Sequence, residues 1–344
     1  MILSLFKKEK KWENCGGCVN IHSDLTESDI PKLINEPGID SVQFYSFKTP
    51  SDKTWAVLND FLKKYPHINL TINWHDSTNI DFLNKVQNVK DLSIKCFNTK
   101  DFSLLSKMKN IESLHIGETK SISVDIGFIA EMKSINVLSI DGMKKGIEKI
   151  QYLENIWSLN LRGIKLNNLD WIQSLKKLEL LKLMFGSYKS IDMIKECPNL
   201  KYLGISRVRQ IENYDFINSL NELEFLHFEG MSEIESLPDF SGLNNLKKLK
   251  VDNLSRLQDI KSISQLTNLE ELLIFFPENF SSNRTNEILN QAYNICLNLH
   301  KLRLTNLLHW DKYIETKDFE KKGIEMYKHE KSKWKQNIEG GWTL

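Results

Sequence analysis

An α/β repeat solenoid is the fold this sequence predicts. The pattern apolar-x-x-apolar-x-apolar recurs as Val89/Leu92/Ile94, Ile111/Leu114/Ile116, Ile135/Leu138/Ile140, Ile156/Leu159/Leu161, Leu178/Leu181/Leu183, Leu200/Leu203/Ile205, Leu223/Leu226/Phe228, Leu246/Leu249/Val251 and Leu269/Leu272/Ile274. The central residues of these copies are spaced 22, 24, 21, 22, 22, 23, 23 and 23 apart, a period that marks stacked supersecondary units. A second short apolar stretch follows each strand, as at 172–175 and 216–220. Each unit therefore reads as strand, turn and return segment. None of these can bury its apolar side alone, so neighbours stack into one core.

Taken in order, the chain opens with residues 1–38, an N-terminal segment that leads into a cap. Helical signals cover 24–35 and 51–64; the second follows Thr49-Pro50 and sets Trp55, Leu58 and Leu62 on one face. The repeat array runs over 39–305, its first part, 39–75, being αβ capping units. Leu70/Ile72 and Ile39/Val42/Phe44 extend the strand pattern at the start and Leu299/Leu302/Leu304 at the end, which gives about twelve strands. Helical signals return at 285–297, inside the longest repeat. Residues 306–344 read as a C-terminal cap and charged tail, with a charged amphipathic segment from Asp311.

The repeated strand segments resemble the leucine-rich repeat family over residues 39–305. That resemblance implies a horseshoe whose parallel strands line the concave side and whose convex side is short helical or irregular segments. It also implies a non-enzymatic role in binding other proteins. One slot departs from the family. Three residues after the last strand apolar, where Asn or Cys often stands, the sequence has Thr119, Met143, Ile164, Gly186, Val208, Met231, Leu254 and Pro277. The Asn ladder of many members is missing there, which speaks against an extracellular or internalin-like subtype, while 233–246 looks like the degenerate repeats of intracellular receptors.

Composition excludes several function classes. Lys plus Arg total 46 and Asp plus Glu 45, a formal charge of +1, so no global field draws the chain to nucleic acid or an anionic membrane. The first residues place a few apolar side chains ahead of a basic run, the reverse of a secretory signal, and no apolar run of about 18 residues occurs. A cytoplasmic protein with no membrane partner is the expectation. Cysteines at 15, 18, 96, 197 and 296 lack the dense spacing of a disulfide scaffold, so reduced thiols are expected.

Alternation along a strand sends the non-core residues to the concave surface. Arg162, Leu180, Lys182, Met184, Tyr202, Phe225, His227 and Glu229 thus form the candidate partner-binding face, in which aromatic and Met side chains are ringed by charge. The expected partner is another protein, or a second copy of the chain. An alternative is an anion or nucleic acid held by Arg207, Arg209, Lys247, Lys248, Lys250, Lys301 and Arg303, although six glutamates interleave with them.

Catalytic and metal signals are weaker. Cys15-Gly-Gly-Cys18 has the spacing of a zinc half-site, but no second pair exists, so a loop with incidental thiols is expected. His67, His75 and Asp76 flank one strand without a third, orienting partner. No Gly-rich phosphate loop, H-E-x-x-H or G-x-S-x-G occurs, and the residues after Leu304 are too few for a catalytic module. Neither an enzyme nor a cofactor is expected.

Overall fold

A computed structural model of the 344-residue chain describes residues 10–277, 282–306 and 317–326. The chain divides into two compact units, Met1–Leu200 with Gln210–Asn213, and Lys201–Arg209 with Tyr214–Leu344.

The first unit begins earlier than the repeat pattern does. Strands β1 (Trp12–Cys15) and β2 (Cys18–Ile21) pair antiparallel through the two-residue loop Gly16-Gly17, with Cys15 opposite Cys18. Both loop glycines have positive φ, +71° and +103°, which a two-residue hairpin requires. The C-x-x-C stretch is therefore an ordered hairpin rather than a loose loop. A short 3-10 turn and helix α1 (Ile30–Leu33) follow. The sheet then continues in parallel, in chain order, through β3 (Ser41–Phe44), β4 (Asn69–Ile72), β5 (Asp91–Ile94), β6 (Ser113–Ile116), β7 (Val137–Asp141), β8 (Ser158–Arg162) and β10 (Leu180–Met184). Two short strands, β9 (Lys165–Leu166) and β11 (Ser187–Tyr188), pair with each other after β8 and β10.

Helix α2 (Asp52–Lys64) lies between β3 and β4 and shows why local sequence is obeyed here. Ser51 caps it, its Oγ accepting from Thr54 N at 3.2 Å, and Trp55, Leu58, Phe61 and Leu62 are buried on one side. Trp55 meets Phe44 and Trp74 at ring-centroid distances of 5.3 and 6.1 Å, closing an aromatic cluster over the start of the sheet.

The second unit carries β12 (Tyr202–Ser206), β13 (Phe225–Glu229), β14 (Lys248–Asp252), β15 (Glu271–Phe275), β16 (Leu304–Thr305) and β17 (Glu325–Met326), all parallel. Helix α3 (Ser282–Asn298) fills the longest repeat, and α4 (Lys317–Lys321) precedes β17. All twelve strands expected from the repeat pattern are present, seven in the first unit and five in the second. The tail beyond Met326 lies outside the described residues.

Core positions repeat without exception. Leu92, Leu114, Leu138, Leu159 and Leu181 are buried in the first unit, and Leu203, Leu226, Leu249 and Leu272 in the second. Each such burial contributes about 1.5–3 kcal/mol relative to exposure. The return segments are 3-10 turns such as Ser103–Lys107 and Asp170–Ser174, too short to satisfy their own entry amides. Side chains two residues upstream do so: Ser103 N donates to Asp101 Oδ1 and Gly127 N to Asp125 Oδ1, both at 2.8 Å. An Asn ladder exists as well, at a slot other than the turn slot of Thr119 and Met143. Asn110, Asn155 and Asn199, each just before a repeat's first apolar residue, donate Nδ2 to the carbonyls of Gln87, Lys133 and Lys176 in the preceding repeat; Asn245 and Asn268 do the same in the second unit.

Immediately after six of the seven five-residue strands, all but β15, the backbone turns left-handed. In the first unit Gly142, Gly163 and Phe185 have φ of +77°, +69° and +52°; in the second Arg207, Gly230 and Asn253 have +51°, +60° and +55°. The turn lets Gly142 N donate to Arg162 O at 2.7 Å and Gly163 N to Met184 O at 2.8 Å, which links successive repeats. Glycine takes this conformation freely, whereas a residue with a β-carbon gives up about 1–2 kcal/mol to do so.

Candidate partner-binding faces

Parallel pairing without slippage stacks equivalent residues in columns, so the outward side chains of each unit form rows running across its strands. In the first unit β8 and β10 align Ser158 with Leu180, Asn160 with Lys182 and Arg162 with Met184. In the second, Tyr202, Phe225, Lys248 and Glu271 share one column, Gly204, His227, Lys250 and Leu273 the next, and Ser206, Glu229, Asp252 and Phe275 the third.

Burial separates the candidate residues into two groups. Arg162 is exposed, and Lys182, Met184, His227 and Glu229 are half-buried. Leu180, Tyr202 and Phe225, by contrast, are 0%, 7% and 2% exposed. The expectation that these three present an open apolar patch is corrected. In the second unit Tyr202 does not stand out from the sheet. Its ring meets Phe225 edge to face at 4.8 Å and lies along its own strand over Gly204, where an added β-carbon would come within 3.0 Å of the ring. Gly204 thus leaves the space that Tyr202 occupies. In the first unit Leu180 pairs with the small Ser158, and both are fully buried.

Charge on the second unit's outward face is paired rather than pooled. Lys248 reaches Glu271 at 3.3 Å, Lys250 reaches Asp252 at 3.2 Å, and Lys247 reaches Glu224 at 3.0 Å. Arg303 bridges Glu270 and Glu271, and Arg207 approaches Glu229 at 3.5 Å while Ser206 Oγ donates to Glu229 Oε2. Most cations of the alternative anion-binding set therefore face a carboxylate. In the first unit His115 Nε2 lies 3.4 Å from Asp141 Oδ2, a pairing that column order alone did not suggest. His75 stacks on Phe97 at 6.4 Å, and Asp76 pairs with Lys48, a bond that holds its carboxyl below the usual range. Among the described residues no three His, Cys, Asp or Glu side chains gather as a metal site. Nor is any described helix long and apolar enough to cross a membrane.

The left-handed Phe185, the Asn slot and the N-terminal hairpin were the features that sequence reading missed. The Asn slot had a visible signal, Asn before the first apolar residue at 88, 110, 155, 199, 245 and 268. Phe185 had one as well: it stands where Gly163 and Gly142 stand one and two repeats earlier.

No protein-family model matches the sequence, and no curated protein does. Solved structures share its fold. An internalin of Listeria monocytogenes, InlF, superposes with a TM-score of 0.51 at 14% identity, over 88% of this chain and 88% of that one. TLR13 in its complex with ssRNA13 gives 0.58 at 17% identity, and Drosophila Toll in its complex with Spatzle 0.55 at 13%, each over 84% of this chain but only 43% and 47% of the longer structure. An internalin is among them even though the turn slot from Thr119 to Pro277 carries none of the usual Asn. With its period, its strand columns and these likenesses, the chain is a leucine-rich repeat solenoid.

Proposed function

We propose that the protein acts by recognition, without catalysis, and that it binds another protein through the outward strand positions. One observation carries this reading. Core positions repeat from strand to strand, whereas the outward column of the first unit changes at every step: Ser93, His115, Ser139, Asn160, Lys182. Side chains that the fold does not need are free to be chosen by a partner. Arg162, Lys182 and Met184 in the first unit, and His227 and Glu229 in the second, are the positions proposed to touch it. Toll and TLR13, of the same fold, were captured with a protein and with an RNA respectively. The carboxylate beside most cations of the alternative anion-binding set favours protein over nucleic acid, because phosphate tracking needs one sign over a continuous surface. A cytoplasmic adaptor or toxin-neutralising protein of a bacterium fits a chain whose five cysteines are all unpaired.

The test uses tagged protein in a lysate of a low-GC bacterium, washed at low and high salt, beside Lys182→Glu and Glu229→Lys variants. A single protein retained at high salt and lost with either variant supports the reading. Nucleic acid released by salt would sink it in favour of the anion alternative.

A further inference from the structure

Phe185 is held in a backbone conformation that a bulky side chain does not favour. The same turn position carries Gly142 and Gly163 in the two preceding repeats, and all three have positive φ. A bulky aromatic residue there is a backbone outlier. Burial does not offset it, since Phe185 remains 42% exposed. Its ring instead lies under the guanidinium of Arg162, 4.9 Å from centroid to Cζ.

Arg162 also lines an open cleft of about 260 Å³ on the same edge of the first unit, together with Lys144, Lys165, Glu118 and Asp141. Asp141 already faces His115. Ile122, 69% exposed, forms another part of the wall. One exposed apolar side chain, Ile122, thus lines a cleft in which three cations stand against two carboxylates, one of them engaged elsewhere, and Phe185 packs against one of those cations, Arg162. Phe and Arg are both enriched at the cores of protein interfaces.

We infer that this turn edge, comprising Phe185, Arg162, Lys144, Lys165 and Ile122, is a second docking surface whose occupant is an acidic segment of a partner protein carrying an aromatic residue. The aromatic ring of the partner packs beside Phe185 and Ile122, and its carboxylates meet Arg162 and the two lysines. The inference rests on the reading of the chain as a protein-binding module and adds a site at the turn edge that shares Arg162 with the strand columns.

Its test measures binding of a fluorescent random copolymer of glutamate and tyrosine to the full chain by anisotropy, with a lysine–tyrosine copolymer as control. Phe185→Gly relieves the left-handed strain, so its melting temperature is expected to equal or exceed that of the wild type. Binding is expected to weaken at least about tenfold in both Phe185→Gly and Arg162→Gln. The lysine copolymer is expected not to bind. No binding by the wild type, equal binding of the lysine copolymer, or losses smaller than about tenfold in both variants would overturn the inference. Weakening by Lys182→Glu with Phe185→Gly unchanged would overturn it too, yet leave protein binding by the strand face standing.

Discussion

Phe225 shows how much a single residue's role depends on its neighbours. Alternation puts it on the outward column, yet it is buried against Tyr202, which lies down over Gly204. Phe225→Ala is accordingly expected to cost about 3–5 kcal/mol of stability, read from the denaturant midpoint at unchanged slope. A loss below about 1 kcal/mol would show that the ring is a surface group after all. Position on a column was legible in the sequence; the depth of the side chain was not, because it depends on Tyr202, 23 residues away on the next strand, and on Gly204, over which that ring lies. The thiols divide in the same manner. Burial pushes Cys96 up to about 11 and Cys197 and Cys296 up to about 12, whereas Cys15 is exposed and Cys18 half-buried. Alkylation of the native protein at pH 8, followed by mass spectrometry, is expected to modify Cys15 and Cys18 and spare the other three until denaturant is added. Equal rates at all five would contradict the packing.

Among the elements, α2 was legible from its cap and its apolar face, and the repeated strands from their spacing. Strands β1 and β2 escaped notice because they precede the first full copy of the repeat pattern, of which β2 keeps only Val19 and Ile21. What sequence reading could not supply for α2 is its tether. Asp24 Oδ1 accepts from Thr54 Oγ1 at 2.6 Å and Ser51 N at 2.8 Å, so it grips the first turn from 27 and 30 residues away. The Thr54 hydroxyl, then the Ser51 amide, hold the Asp24 carboxyl below its usual range. A carboxyl depressed in the folded state adds stability above its unfolded value of about 3.9, and that stability is lost as pH falls through the folded value. Asp24→Asn is therefore expected to lower the melting temperature at pH 7, with the gap to wild type closing below about pH 4. A gap that stays constant down to about pH 2 would mean that the charge on Asp24 plays no part.

At the scale of the whole molecule, a stack in which each repeat touches only its neighbours should lose stability locally. Leu92 and Leu159 occupy the same core position three strands apart in the first unit, about 14 Å at a strand spacing of about 4.8 Å. Leu92→Ala and Leu159→Ala are each expected to cost about 2–5 kcal/mol, and the double variant their sum to within about 0.5 kcal/mol. Strong non-additivity in chemical unfolding would require coupling beyond adjacent repeats. The sequence by itself determined the repeat, the twelve strands, their inward columns and the absence of an enzyme motif, because each is written as a local spacing that recurs. Only the tertiary structure decided that Leu180, Tyr202 and Phe225 are buried, that Arg207, Lys247, Lys248, Lys250 and Arg303 have acidic partners, and that Phe185 sits strained beneath Arg162. Those outcomes arise between strands, where residues some 20 positions apart meet, and a pattern of single residues along one strand holds no record of which neighbour leaves room and which fills it.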